Sequence, residues 1–351
     1  MLKKFPTIAT ITVIGIAVLT AHWIQIDNNG SWILAVLTWS VAQWIPIPSL
    51  HVETTQNAWN LWKQADSHSS KSDLLDVPTI DVSHHAPEEL LSILQQRYGT
   101  DWRRRPLLLQ NLWSIDDLSS PTRRLSLQGL LQEPMDIPYF TNAALPNTLS
   151  PDAIAPFSEV LFRITQGLPH KIATQLFIAH NPELITEVAP SSILTPLFGN
   201  YFTSSSLSLL TTVPLFIAKG SRSTTNNVKT ELHCEPIANI AVQLEGSKSW
   251  KLMDSQHWWK LQPSLAADGR AFVSGTMSEN VPRYEVMTMA GDALYIPTWT
   301  WHRVDYETVD QVSIGASVFH FRAWDYVRNH PLLAVLLIPA LIQELVGWKT
   351  Q

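Results

Sequence analysis

The chain of 351 residues carries a formal net charge of -6 and a pI near 6.0, so it offers no broad basic surface to nucleic acid. Charged residues make up 15% of it and hydrophobic residues 45%, a balance that directs attention to a membrane-embedded portion. A single cysteine, Cys234, excludes an intramolecular disulfide and a cysteine-based zinc cluster.

From Phe5 to Ile26 no residue is charged, and the run is long enough to cross a bilayer as a helix. A polar break, Asp27 to Ser31, leads into a second uncharged run from Trp32 to Leu50, which carries Trp32, Trp39 and Trp44 and ends with Pro46 and Pro48. The pair predicts a helical hairpin whose N-terminus, marked by Lys3 and Lys4, stays cytoplasmic and returns the large domain to the cytoplasm. A cleaved signal peptide or a single signal anchor is the competing reading. The long apolar core and the lack of an A-x-A site speak against cleavage. Residues 1–52 are therefore expected to form a membrane anchor of one or two transmembrane helices, and the serine-rich residues 53–75 a linker.

Residues 76–325 read as one large domain, mainly β with some α. In PEELLSILQQRYG the spacing of Leu90, Leu91 and Leu94 predicts a helix, and PLLLQNL after Arg105 reads as a short buried strand. From about Leu125 to Leu197 the pattern reads as mostly helical, with NPELITEV as one helix. Beyond Ser205 come short strands, SLLTTVPLFIA, NIAVQLE, KSWKLM, ALYIP, HRVDYE and QVSIGASVF, separated by Gly-containing turns, which argue for a sandwich or barrel. Residues 326–351 are expected to be a C-terminal helix that pairs with a second copy of the chain. Membrane apposition and plain core packing are the alternatives, because the uncharged part is short for a span.

The stretch TELHCEPIANIAVQLEGSK carries the chemistry. In a strand, residues two apart share a face, so His233 and Glu235 can present an imidazole and a carboxylate to one point while Cys234 turns away. His302, on a later strand, supplies a second imidazole. Two histidines and a carboxylate leave the opposite metal positions open, the arrangement of non-haem Fe(II) oxygenases. Asn239, Ala241 and Gln243 alternate with Ile240, Val242 and Leu244, and Lys248, Trp250 and Leu252 share a face of the next strand. A lysine inside a β core is costly without an anion beside it, and a dicarboxylate such as 2-oxoglutarate would supply one. Taken singly, His302 reads as a core histidine, His233 with Glu235 as a strand-edge ion pair, and Lys248 as a hairpin lysine reaching solvent. The joint pattern favours the metal.

These residues resemble the JmjC, cupin-like (cupin 8 type) family of Fe(II)/2-oxoglutarate oxygenases. The matching positions are Thr230, His233, Glu235, Asn239, Gly246 and Lys248, then Gly291, Asp292, Leu294, Tyr295 and Pro297 ahead of His302. RRPLLLQNLW and QLFIAHNPEL extend the likeness over Val77 to Trp324. The resemblance implies a double-stranded β-helix (jelly-roll) core with flanking helices. It further implies iron held by His233, Glu235 and His302, and 2-oxoglutarate held by Lys248, Thr230 and Asn239. Glu235 stands where the hydroxylase branch more often has aspartate, Ser317 where many relatives have asparagine, and the family's earlier-strand tyrosine has no evident counterpart. The activity implied is 2-oxoglutarate-dependent hydroxylation, first of a protein side chain, with a small molecule as the other substrate class. A reading from another class is a catalytically silent cupin-like scaffold acting at the membrane. A cupin isomerase would keep the histidines but have no use for Lys248.

Overall fold

The computed structural model describes residues 74–99, 102–143, 151–198, 211–220, 228–257, 261, 264–265, 271–272, 281–306, 310–330 and 333–334. The expected anchor of residues 1–52, the linker up to residue 73 and nearly all of the C-terminal tail beyond residue 330 lie outside them. Among the described residues no helix is long and apolar enough to cross a membrane.

The described strands, in chain order, begin with β1 (Leu74–Leu75), β2 (Thr79–Asp81), β3 (Leu107–Gln110), β4 (Asp136–Tyr139), β5 (Ala153–Pro156) and β6 (Lys171–Thr174). Then follow β7 (Thr211–Thr212), β8 (Leu215–Lys219), β9 (Lys229–Cys234), β10 (Ala238–Glu245), β11 (Ser247–Met253) and β12 (Ser264–Leu265). The last are β13 (Ala271–Phe272), β14 (Arg283–Met289), β15 (Ala293–Ile296), β16 (Trp301–Asp305) and β17 (Val312–His320). The helices named here are α1 (Pro87–Tyr98), α2 (Phe157–Thr165), α3 (Ser191–Phe198) and α4 (Ala323–Asn329). The architecture is mainly β with some helix, as expected.

Two sheets dominate. One runs β1-β14-β11-β16-β9-β13-β12; the other runs β2-β3-β15-β10-β17-β8-β6, with β7 added on β17. The β10–β11 turn passes the chain from one sheet to the other through Gly246, whose φ of 68° and close approach to Val312 O leave no room for a side chain. Alternation along β10 sorts its side chains: Ile240, Val242 and Leu244 enter an apolar core with the helices, and Ala241 faces a smaller cluster between the sheets. Trp250, Leu252 and Val304 meet Ala241 there from the opposite sheet.

The helices cover the outer face. Proline at the start of α1 and Glu88 and Glu89 in its first turn suit a helix N-terminus, and Gly99 at φ 79° ends it. Leu90 and Leu94 of α1 and Phe157, Val160, Leu161 and Ile164 of α2 are fully buried, each Leu or Phe contributing about 1.5–3 kcal/mol by its removal from water.

Three readings are corrected. The segment 125–197 is mixed rather than mostly helical, because β4, β5 and β6 interrupt its helices. Four-residue strands such as Asp136–Tyr139 alternate too briefly to stand out from their surroundings. β14 had no counterpart among the expected strands: Tyr284, Val286 and Thr288 face inward, while outward-facing Met287 and Met289, about half exposed, blur the alternation. Leu74 and Leu75, placed at the end of the linker, pair in parallel with Arg283 and Tyr284.

Candidate metal centre

β9 and β16 lie antiparallel with His233 directly opposite His302, so both imidazoles rise from the same face. Their ring centroids are 4.2 Å apart. Glu235 is the first residue past the end of β9, and its Oε1 is 3.7 Å from His233 Nε2. The three side chains offer ligand atoms within 4.8 Å of one another, and no other such group of His, Cys, Asp or Glu occurs among the described residues.

Both histidines are set up as ligands in the same way. His233 Nδ1–H donates to Glu231 O at 2.7 Å, and His302 Nδ1–H to Thr300 O at 3.0 Å. Each bond fixes the tautomer and leaves the Nε2 lone pair for a metal. Burial holds His302 down to about 4, so its imidazole stays neutral through the physiological range, as a ligand requires.

Glu235 has left the strand, so other contacts must hold its backbone. Trp299 N–H donates to Glu235 O at 3.0 Å from a turn closed by Thr300 N–H to Pro297 O. In that turn Trp299 has φ 67°, a conformation costing a bulky residue about 1–2 kcal/mol. Trp299 and Trp301 are both fully buried.

Thr230, Asn239 and Lys248 all face the space between the sheets. Thr230 and His233 are three apart, which plain alternation would send to opposite faces. A bulge resolves this: His302 pairs with His233 but Val304 with Thr230, so three steps on β9 match two on β16. Asn239, on the face of Ala241, is 4% exposed, and its Oδ1 has no hydrogen-bond partner among the described residues. Its neighbour on that face, Gln243, is committed by contrast, donating Nε2 to Ser313 Oγ and Glu245 O.

Lys248 is 5% exposed and reaches across to the other sheet. Its Nζ sits 5.6 Å from the ring centroids of Phe216 and Tyr306, over Gly315, where a Cβ would come within 2.5 Å of it. No acid among the described residues pairs with it. Burial, with a smaller push from Lys171, brings its pKa down to about 7. Phe216, Gly315 and Tyr306 escaped the sequence reading. The one available signal was Gly315 itself, since glycine inside a strand marks close approach by another group.

Cys234 is buried, and desolvation pushes its thiol well above the ordinary range, which leaves it inert.

Residues 196–325 match the family model described as a cupin-like domain. The protein carries a cupin-like domain. The match runs from ahead of β7 into the first turn of α4 and so encloses His233, Glu235, His302, Thr230, Asn239 and Lys248. No curated protein matches the chain. In this cupin-like domain the donor set, two imidazoles and a carboxylate with positions left open, fits a non-haem Fe(II) ion, and the buried Lys248 fits an anionic cosubstrate.

Proposed function

We propose that this cupin-like protein is an Fe(II)- and 2-oxoglutarate-dependent dioxygenase that hydroxylates a protein side chain. The observation that carries the reading is Lys248: a buried ammonium with no acid beside it among the described residues, in the same inter-sheet space as a two-histidine, one-carboxylate cluster. A buried unpaired charge costs several kcal/mol, and a dicarboxylate whose far end meets Lys248 removes that cost. A simple hydrolytic metal site gives such a lysine no task.

His233, Glu235 and His302 would hold the iron, which when bound supplies oxygen activation coupled to decarboxylation of the keto acid to succinate. The carbonyls of Glu231 and Thr300 keep both imidazoles in the ligating tautomer. Lys248 binds the far carboxylate of 2-oxoglutarate, with Thr230 adding a hydroxyl donor on the same face. Asn239 lends its amide to the cosubstrate end nearer the metal. Phe216 and Tyr306 wall the lysine off from water, which strengthens its attraction for an anion. The same proposal gives the core the double-stranded β-helix topology and tethers it to a membrane by residues 1–52, domain on the cytoplasmic side. It also has the chain dimerise through residues 326–351 and gives it no direct role with nucleic acid. The hydropathy and charge of those segments support that placement.

The test is an anaerobic titration of the purified protein with Fe(II) and 2-oxoglutarate, read by the visible charge-transfer band of the chelate and by succinate release on admitting air. The expected result is a band that His233→Ala abolishes and whose 2-oxoglutarate dependence Lys248→Ala weakens. Absence of both iron and keto acid binding rejects the oxygenase in favour of a silent cupin-like scaffold.

A further inference from the structure

We infer that Trp299 is a positioning residue for the metal ligands, locked in place by helix α4. The inference rests on the metal-centre reading and adds to it the means by which Glu235 and His302 are kept in register.

The turn Pro297–Thr300 touches both ligand segments through its backbone. Trp299 N–H holds Glu235 O where the β9 ladder has ended, and Thr300 O receives His302 Nδ1–H. The turn keeps this shape only with Trp299 at φ 67°. Asn111 is the sole other non-glycine at positive φ among the described residues, and tryptophan is far less suited to that region than asparagine. Something must therefore hold it there. The indole Nε1–H donates to Tyr326 O at 2.8 Å, and the Trp299 ring packs on Tyr326 at 5.3 Å and on His330 at 6.2 Å. Tyr326 is anchored in turn by its hydroxyl to Ala334 O at 2.8 Å, and Asn329 O accepts from Ser255 Oγ at 3.1 Å. With the clamp removed, the turn relaxes toward an ordinary backbone conformation, and the N–H and the carbonyl that orient Glu235 and His302 move with it.

Trp301 supplies a matched control. It is as large, as fully buried and directly adjacent to His302, yet its Nε1 has no hydrogen-bond partner among the described residues. Trp299→Phe and Trp301→Phe therefore make the same change in bulk, and only the first breaks the link to α4.

The experiment uses the full chain and Co(II) as probe, reading affinity and the visible d–d spectrum, with His233→Ala as the site control. Trp299→Phe is expected to weaken Co(II) binding about tenfold and to alter the spectrum, in the range seen when groups supporting metal ligands are lost. Tyr326→Phe is expected to weaken it a few-fold, and Trp301→Phe to leave affinity and spectrum unchanged. Wild-type affinity and spectrum in both Trp299→Phe and Tyr326→Phe would make Trp299 a packing residue and overturn the inference. If Trp299→Phe does not fold by circular dichroism, Tyr326→Phe alone decides in the same way. A Co(II) signal equal in wild type and His233→Ala overturns the metal-centre reading itself, an outcome distinct from the first.

Discussion

The two faces of the eight-stranded sheet are built from the same strands to opposite ends. On the outer face Ile240, Val242 and Leu244 of β10 and Ile314, Ala316 and Val318 of β17 join the helices in one continuous apolar core. On the inner face the same strands present Asn239, Ala241 and Gln243, and Gly315 and Ser317. These side chains are small or polar, and the room left at Gly315 is occupied from the opposite sheet by Lys248. The contrast teaches that period-two alternation lets one strand supply stability with one face and chemistry with the other, provided the inner side chains are short. Stability concentrated on the outer face is what lets the inner face keep polar groups that lower it.

That division can be broken from either side. The largest effect is expected at the ligands: His302→Ala removes one of three donors and should reduce Fe(II) affinity by more than about a hundredfold, measured by anaerobic titration, with the fold intact by circular dichroism. Next comes the outer face, where Leu244→Ala should lower unfolding free energy by ~2–5 kcal/mol in a urea melt, while the folded fraction still binds metal. Loss of the metal site in folded Leu244→Ala would show that the two faces are not separable.

Lys248→Met sharpens the comparison from the inner side. In the absence of keto acid it should stabilise the protein by about 1–4 kcal/mol, since a buried charge without a partner is replaced by an apolar side chain of similar length. The sign follows from the depressed pKa. Below about 7 the lysine is charged in both states and its burial cost is fully present; between about 7 and 10.5 only the unfolded chain holds the proton, so the wild type gains stability as pH rises. The advantage of Lys248→Met should accordingly fade between pH 7 and 10.5 in thermal melts. A constant difference across that range would mean the lysine is solvated.

The smallest effect is expected for Gly315→Ala. Its new methyl displaces the ammonium and should raise the 2-oxoglutarate concentration needed for the charge-transfer band roughly tenfold. Fe(II) affinity should stay unchanged. A parallel loss of Fe(II) binding would place Gly315 in the support of the metal rather than of the cosubstrate.

The sequence by itself determined what depends on local periodicity. Whereas Glu235 lies just past the end of β9, the alternation of β10 and the position of Lys248 on the face of Trp250 and Leu252 are properties of an extended chain, and they persist in the folded protein. So does the recognition of His302 as the distal partner, through the residues leading up to it. What tertiary structure alone decided is everything set by register between strands far apart in sequence. The β9 bulge that turns Thr230 to the side of His233, the seating of Lys248 between Phe216, Gly315 and Tyr306, and the Trp299 turn held by α4 all depend on pairing partners that no local pattern specifies. Alternation assigns each side chain to a face, but only the pairing of strands decides which faces meet, because the hydrogen bonds that set register are made by backbone groups common to every residue.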